Sequence, residues 1–176
     1  CLSMAGVARE VSAVTGARLT PPIVPITRTR HRQRIPIVLE EPKDCPRWVG
    51  RALTGLNPNA RSPDFLRERL RRCGIRTIGL VVDVTNYVML EYGQPMHAFN
   101  MNSIDRGIRV RRSKSGEALT LLDQQRVTLA PGTLVIADET QAIAIAGVMG
   151  GLSTAVSDST QQVLLEAAYF RPGAVA

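Results

Sequence analysis

Residues 107–146, GIRVRRSKSGEALTLLDQQRVTLAPGTLVIADETQAIAIA, decide the fold. Ile108 and Val110 alternate with Arg109 and Arg111, and Leu119 and Leu121 flank Thr120, a period of two that lays apolar side chains on one face of a strand. Leu134 to Ala137 and Ala142 to Ala146 are apolar runs on either side of the polar turn Asp138-Glu139-Thr140. Consecutive strands with connections this short build an antiparallel or mixed sheet.

Upstream the period becomes helical. Ser3 is placed to cap a helix over residues 3–15, with Val7, Val11 and Val14 on one side and Gly16 as its stop. Trp48 to Gly55 reads as a strand. Ser62-Pro63 supplies an N-cap and a first-turn proline for a helix through Phe65, Leu66 and Leu70 to Cys73, closed by Gly74. Asp83 is a candidate cap for a further helix through Val84, Val88 and Met89 to Glu91, ended by Gly93 and Pro95. Helices followed by a run of strands predict an α+β fold, helices packed on an antiparallel or mixed sheet.

The segment from Leu19 to Pro46 holds six of the eleven prolines and the run Arg28, Arg30, His31, Arg32, Arg34, so it reads as an extended linker. The expected organisation is a helix closing a preceding domain over 1–18, a Pro/Arg-rich linker over 19–44, and the principal domain over 45–176. The chain starts on Cys1 rather than Met, which reads as a piece of something longer.

With 44% hydrophobic and 21% charged residues, the composition is that of a folded globular chain. No apolar run approaches the ~20 residues of a membrane span, and the N-terminus lacks a signal-peptide layout, so the cytoplasm is the expected compartment. Cys1, Cys45 and Cys73 are odd in number and far apart, and read as free thiols. No carboxylate, histidine or cysteine cluster has metal-ligand spacing, so no metal or cofactor is expected in this segment. Fifteen of the 22 Lys and Arg fall in residues 1–76, against six of the 15 Asp and Glu. A nucleic-acid partner and a merely solvated basic face both fit that bias.

Two residues stand out chemically. Glu166 interrupts Val163-Leu164-Leu165 and Ala167-Ala168-Tyr169-Phe170, an otherwise buried strand, where an unpaired carboxylate is costly. It needs a partner, either an arginine in an internal salt bridge or a ligand hydroxyl. His97, in Gly93-Gln94-Pro95-Met96-His97-Ala98-Phe99, is a general acid or base, a positioning group or a buried structural side chain. Gly147, Gly150 and Gly151 allow a tight turn or a close backbone approach to a ligand, without the spacing of a phosphate loop. No Ser/His/Asp or Cys/His set is legible, so no covalent nucleophile is expected.

The segment Val81-Val82-Asp83-Val84-Thr85-Asn86-Tyr87-Val88-Met89-Leu90-Glu91-Tyr92-Gly93-Gln94-Pro95-Met96-His97-Ala98-Phe99 resembles the signature of the bacterial phenylalanine–tRNA ligase β-subunit family. So do Asn57-Pro58-Asn59, Leu70 to Arg76, Thr133 to Asp138, Gly147 to Gly151 and Val163 to Phe170, in that family's order, and Cys1 to Gly16 resembles the piece before its editing domain. The resemblance implies that 45–176 is an editing domain of the synthetase β-subunit type, hydrolysing tRNA(Phe) mischarged with tyrosine. Glu166 would then accept the phenolic hydrogen bond, with Glu166 and His97 as the catalytic pair. Arg76, Ala146, Gly150 and Glu166 would bind substrate, Gly150 on the pocket wall and Arg76 near the terminal adenosine. An adjacent tRNA hydroxyl is a candidate base for the attacking water.

For the intact ligase the resemblance implies ATP and Mg2+ in the α subunit, an α2β2 heterotetramer and tRNA(Phe) as partner. Family members continue into a Thr-Asp-Ala-Ser-like segment that completes the pocket, and this chain stops at Ala176. The expected domain is therefore C-terminally incomplete, and its activity in isolation is open. A noncatalytic tRNA-binding scaffold and a stand-alone deacylase are the alternatives.

Overall fold

A computed structural model describes residues 2–21, 23–28 and 34–175. Cys1 and the linker residues Arg30, His31 and Arg32 lie outside the described residues. The chain divides into two units, residues 1–33 with 60–96, and residues 34–59 with 97–176.

The first unit is helical. Helix α1 spans Met4–Thr15; the Ser3 hydroxyl accepts from the Gly6 N–H, and Gly16 takes the left-handed conformation (φ 72°) that ends it, both as the sequence predicts. Helix α2 spans Asp64–Arg72 and closes through Gly74 at φ 75°. There the Ile75 N–H bonds back to the Leu70 carbonyl and the Gly74 N–H to that of Arg71, a six-to-one closure that needs a residue without Cβ strain at Gly74. Glu68 gathers Arg71 and Arg72 at 2.8 Å each, so two of the helix's arginines answer a carboxylate on their own exposed face. Such pairs contribute only tenths of a kcal/mol, on the order of 0.3–0.5.

Helix α3 spans Leu80–Tyr92 and ends on Gly93. Both expected caps differ here. Pro63, not Ser62, occupies the cap of α2 and makes no side-chain bond. The Ser62 hydroxyl instead donates to Asp83, and Asp83 stands one turn inside α3, where its other oxygen accepts from the Ile78 N–H at 2.9 Å. Short polar side chains at a helix start can satisfy any nearby orphan donor. Here the bond ties the entry of one helix to the entry of the next, and Asp83 is buried.

The second unit carries three sheets. Strands β1 (Ile37–Leu39), β4 (Ile108–Arg112), β7 (Leu134–Ala137), β8 (Ala142–Ile145) and β9 (Met149–Gly150) lie in that order in a five-stranded sheet. Strands β2 (Arg47–Thr54), β10 (Gln162–Tyr169) and β3 (His97–Asn100) form an antiparallel sheet with β10 central. Strands β5 (Ala118–Thr120) and β6 (Arg126–Thr128) pair as a ribbon. The α+β expectation therefore holds, with a sheet that is mixed because β1 joins β4 in parallel while its other pairs are antiparallel.

Strand β1 lies inside the stretch read as linker. Gly107 explains how it docks: the Ile108 N–H bonds to the Pro36 carbonyl, and a Cβ on Gly107 would stand 2.7 Å from that oxygen. One apolar cluster joins the two larger sheets, with Trp48, Phe99 and Leu164 from the antiparallel sheet meeting Ile108, Val110, Leu134, Ile136, Ile143, Ala144 and Ala146. Each large side chain fully buried in such a cluster contributes about 1.5–3 kcal/mol.

Ionic contacts close the flanks. The Arg111 guanidinium grips Glu117 at 2.7 and 2.8 Å, both largely buried, and Glu117 also accepts from the Lys114 and Ala142 N–H groups. Those bonds hold the Glu117 carboxyl down to about 2. Buried Asp44 is held by Arg112 and by Arg171.

Replacing Asp83 with Ala is expected to destabilise the helical unit by about 2–4 kcal/mol, because the Ser62 hydroxyl and the Ile78 N–H both lose their acceptor. Urea unfolding followed by helical circular dichroism measures it, and a change below ~0.5 kcal/mol refutes the tie.

Candidate functional site

Strand β10 is flanked on both sides, so each of its middle residues has two cross-strand partners. Glu166 faces Gly50 on β2 and His97 on β3. Directly opposed residues point to the same side of a sheet, with Cβ atoms ~4.5–5.5 Å apart where both have one. That side also carries Trp48, Leu164 and Phe99, which belong to the shared apolar core. The carboxyl of Glu166 is thus set among apolar side chains and is 5% exposed.

Of the two partners the sequence leaves open, an arginine is not found on Glu166 among the described residues. The partner of Glu166 is the Trp48 indole, whose Nε1–H donates to Oε1 at 3.0 Å. Trp48 and Gly50 lie two apart on β2, on one face, and the indole lies over the bare glycine: a Cβ at position 50 would come within 2.6 Å of Cζ3 and 3.0 Å of Cη2 of the ring. Burial pushes the Glu166 carboxyl up to about 8, the Trp48 hydrogen bond pulling the other way. Near neutrality the group is held mostly as the protonated acid, able both to accept and to donate.

Cys45, fully buried in the same core, is raised to about 11 by burial and then by the nearby Glu166 charge. His97 stacks edge-on against Phe99 at 4.5 Å between ring centroids. Burial lowers its pKa, so at neutral pH it is an uncharged imidazole. Its Nε2 is buried with no hydrogen-bond partner among the described residues. A buried polar atom left open this way costs about 1–3 kcal/mol unless something else meets it.

Gly150, at the end of β9, faces that imidazole. A Cβ there would sit 2.5 Å from His97 Cε1 and 2.6 Å from Nε2. The glycine therefore leaves room for the His97 ring. Gly147 takes φ 71° in the turn between β8 and β9, and Gly151 lets its N–H reach the Ile143 carbonyl at 2.7 Å. Ala146 is buried in the cluster that contains Trp48 and Phe99.

Of the residues singled out, Glu166, His97, Gly150 and Ala146 lie in the second unit, the first three directly linked through His97. Arg76 belongs to the helical unit, exposed on the turn between α2 and α3. Sequence reasoning missed Trp48 and Gly50 as parts of the site. The available signal was their spacing: a lone tryptophan two residues before a glycine in a strand, and a buried carboxyl in need of a donor. Among the described residues no group of three or more His, Cys, Asp or Glu is arranged to hold a metal ion. No described helix is long and apolar enough to cross a membrane.

The unfolded chain releases the Glu166 proton near the ordinary 4.5 and the folded chain holds it to about 8. Stability from this group is therefore complete below pH ~4.5 and is lost as pH rises through ~8. Glu166→Gln keeps the shape and the acceptor for Trp48 without the charge. Urea unfolding of wild type and variant should diverge from pH 5 to 9, the variant becoming relatively more stable as pH rises. Parallel pH curves overturn the assignment.

Comparison with known proteins gives consistent matches. The B3/4 domain profile matches residues 44–176. The chain is 48% identical over 176 residues to the phenylalanine–tRNA ligase β subunit of Nitrosococcus oceani, covering 100% of this chain and 22% of that protein. It is 51% identical over 173 residues to that of Dickeya dadantii, covering 98% of this chain and 22% of that protein. The chain thus spans about a fifth of the length of these curated relatives. Among solved structures it is similar to an N-terminal fragment of the phenylalanyl-tRNA synthetase β-subunit from Pyrococcus horikoshii, with TM-score 0.56 and 14% identity, covering 98% of this chain and 53% of that one. That last likeness concerns the fold.

Proposed function

The chain belongs to the B3/4 domain family, and we propose that its second unit is an editing module that hydrolyses the ester of tRNA(Phe) mischarged with tyrosine. The observation that carries the reading is Glu166: a buried carboxyl, opposite a neutral histidine on the next strand, and among the described residues bonded only to one indole N–H. A structural carboxylate in an apolar core ordinarily has a cation or several donors.

Glu166 meets the phenolic hydroxyl of tyrosine. Phenylalanine in the same place leaves the buried carboxyl without that partner, a difference of about 1–3 kcal/mol and so on the order of 5- to 150-fold. This complements a synthetic pocket built for phenylalanine, which rejects an added hydroxyl only modestly. His97, neutral and with Nε2 unpartnered among the described residues, holds the terminal ribose or the amino group. Gly150 and Ala146 keep the wall low where the amino acid enters.

Water then attacks the ester carbonyl, the bond to the ribose oxygen breaks, and free tyrosine and uncharged tRNA result. The ester is already activated, so positioning supplies most of the acceleration. A neighbouring tRNA hydroxyl relays the water's proton to the departing ribose oxygen, which leaves as a hydroxyl. No protein nucleophile enters. The module serves a phenylalanine–tRNA ligase of α2β2 form in the cytoplasm, whose α subunit uses ATP and Mg2+ to charge tRNA(Phe). A noncatalytic scaffold gives no reason for a costly carboxyl and an open imidazole to be cross-strand neighbours.

In the intact ligase, Glu166→Ala is expected to slow deacylation of Tyr-tRNA(Phe) about tenfold or more, with charging by phenylalanine unchanged. Single-turnover deacylation of Tyr-tRNA(Phe) and Phe-tRNA(Phe) measures it. Full retention of the tyrosine preference in the variant sinks the reading.

A further inference from the structure

We propose that Trp48 is a positioning residue for the tyrosine-selecting carboxyl: its indole N–H pins one oxygen of Glu166 and leaves the other for the substrate hydroxyl, and Gly50 is the device that lets the indole lie there. The proposal rests on the editing role given to Glu166 above.

Three observations support it. Glu166 and Trp48 are 118 residues apart in sequence yet bonded at 3.0 Å inside the core, so their contact is made by the pairing of β2 with β10. The carboxyl sits mid-strand in β10, and its other oxygen accepts no hydrogen bond from the described residues. Without a tether it is free to rotate about its terminal torsion, which is broad for a carboxyl. An indole donor at Oε1 removes that freedom, because its ring is itself packed against Gly50, where any Cβ would come within 2.6 Å of it. A fixed acceptor discriminates a hydroxyl in one place, which a mobile one cannot do.

The groups facing the carboxyl from the neighbouring elements are His97 on β3 and Cys45 just before β2. The first has a lowered pKa and the second is raised to about 11, so Glu166 is the one that titrates near pH 8. Removing the indole donor deprives the ionised form of its only hydrogen bond, and the proton is held to still higher pH.

The test uses two preparations. In the intact ligase, Trp48→Phe keeps the aromatic bulk and deletes the donor. Its clearance of Tyr-tRNA(Phe) over Phe-tRNA(Phe) should fall by about tenfold, and the pH midpoint of tyrosine clearance should move upward, with phenylalanine charging unchanged. Gly50→Ala, which dislodges the ring, should reproduce both changes. In the present chain Trp48 is the one tryptophan, so its fluorescence reports the contact directly. The emission should change through pH ~8 in the wild type, as the Glu166 charge appears beside the indole, and not in Glu166→Gln.

Wild-type discrimination and an unmoved pH midpoint in Trp48→Phe, in an enzyme that Glu166→Ala disables, overturn the positioning role and leave the editing role standing. If Glu166→Ala itself leaves discrimination intact, the editing role fails and the positioning role with it, whatever the fluorescence. A fluorescence titration identical in wild type and Glu166→Gln overturns the contact.

Discussion

The second unit is organised around one constraint: a carboxyl in the middle of a central strand has to be kept where water cannot reach it. Strand β10 is covered by β2 on one side and β3 on the other, and the face that carries Glu166 is the face that forms the core. Burial alone would make such a group costly by several kcal/mol if ionised. Two features reduce that cost. The proton stays on to about pH 8, and one indole donor meets one oxygen. The second depends on Gly50, since a Cβ there would occupy the space of the ring.

The other ionised groups of this unit are treated differently. Glu117, also largely buried, is fully answered by a bidentate arginine and two backbone N–H groups, and its pKa moves down. Asp44 is held by two arginines. Both carboxylates pair with arginines of β4, Arg111 and Arg112. Among the described residues Glu166 has no cation, and its pKa moves up. The opposite shifts of Glu117 and Glu166 separate a carboxylate that holds structure from one that is left with unspent hydrogen-bonding capacity.

Much of the architecture was legible in local pattern. Ser3 and Gly16 bracket α1, Gly74 and Gly93 end α2 and α3, and the alternation after Gly107 gives β4 and β5, because caps and periodicity are short-range properties. What local pattern misread was long-range in origin. Ser62 and Asp83 look like two independent caps, yet they bond to each other across 21 residues. Strand β1 sits in a proline-rich stretch and exists only because Gly107 lets it approach β4. In the site, the lone carboxyl in an apolar run was conspicuous, while its partner was not, since an indole 118 residues away offers no spacing to count.

In the proposed editing role, the combination makes the site selective without being highly charged. At neutral pH the histidine is neutral, the cysteine is a thiol, and Glu166 is largely protonated. A charged pocket would attract any polar ligand and would hold water firmly. In the proposed role, a neutral site beside Phe99, Leu164 and the Trp48 ring, all members of the buried core, takes an aromatic side chain by burial and then asks a single question of it: whether a hydroxyl stands where the second carboxyl oxygen is. The burial term is common to tyrosine and phenylalanine and cancels between them. The difference rests on one hydrogen bond, whose geometry is as firm as the indole that anchors its acceptor.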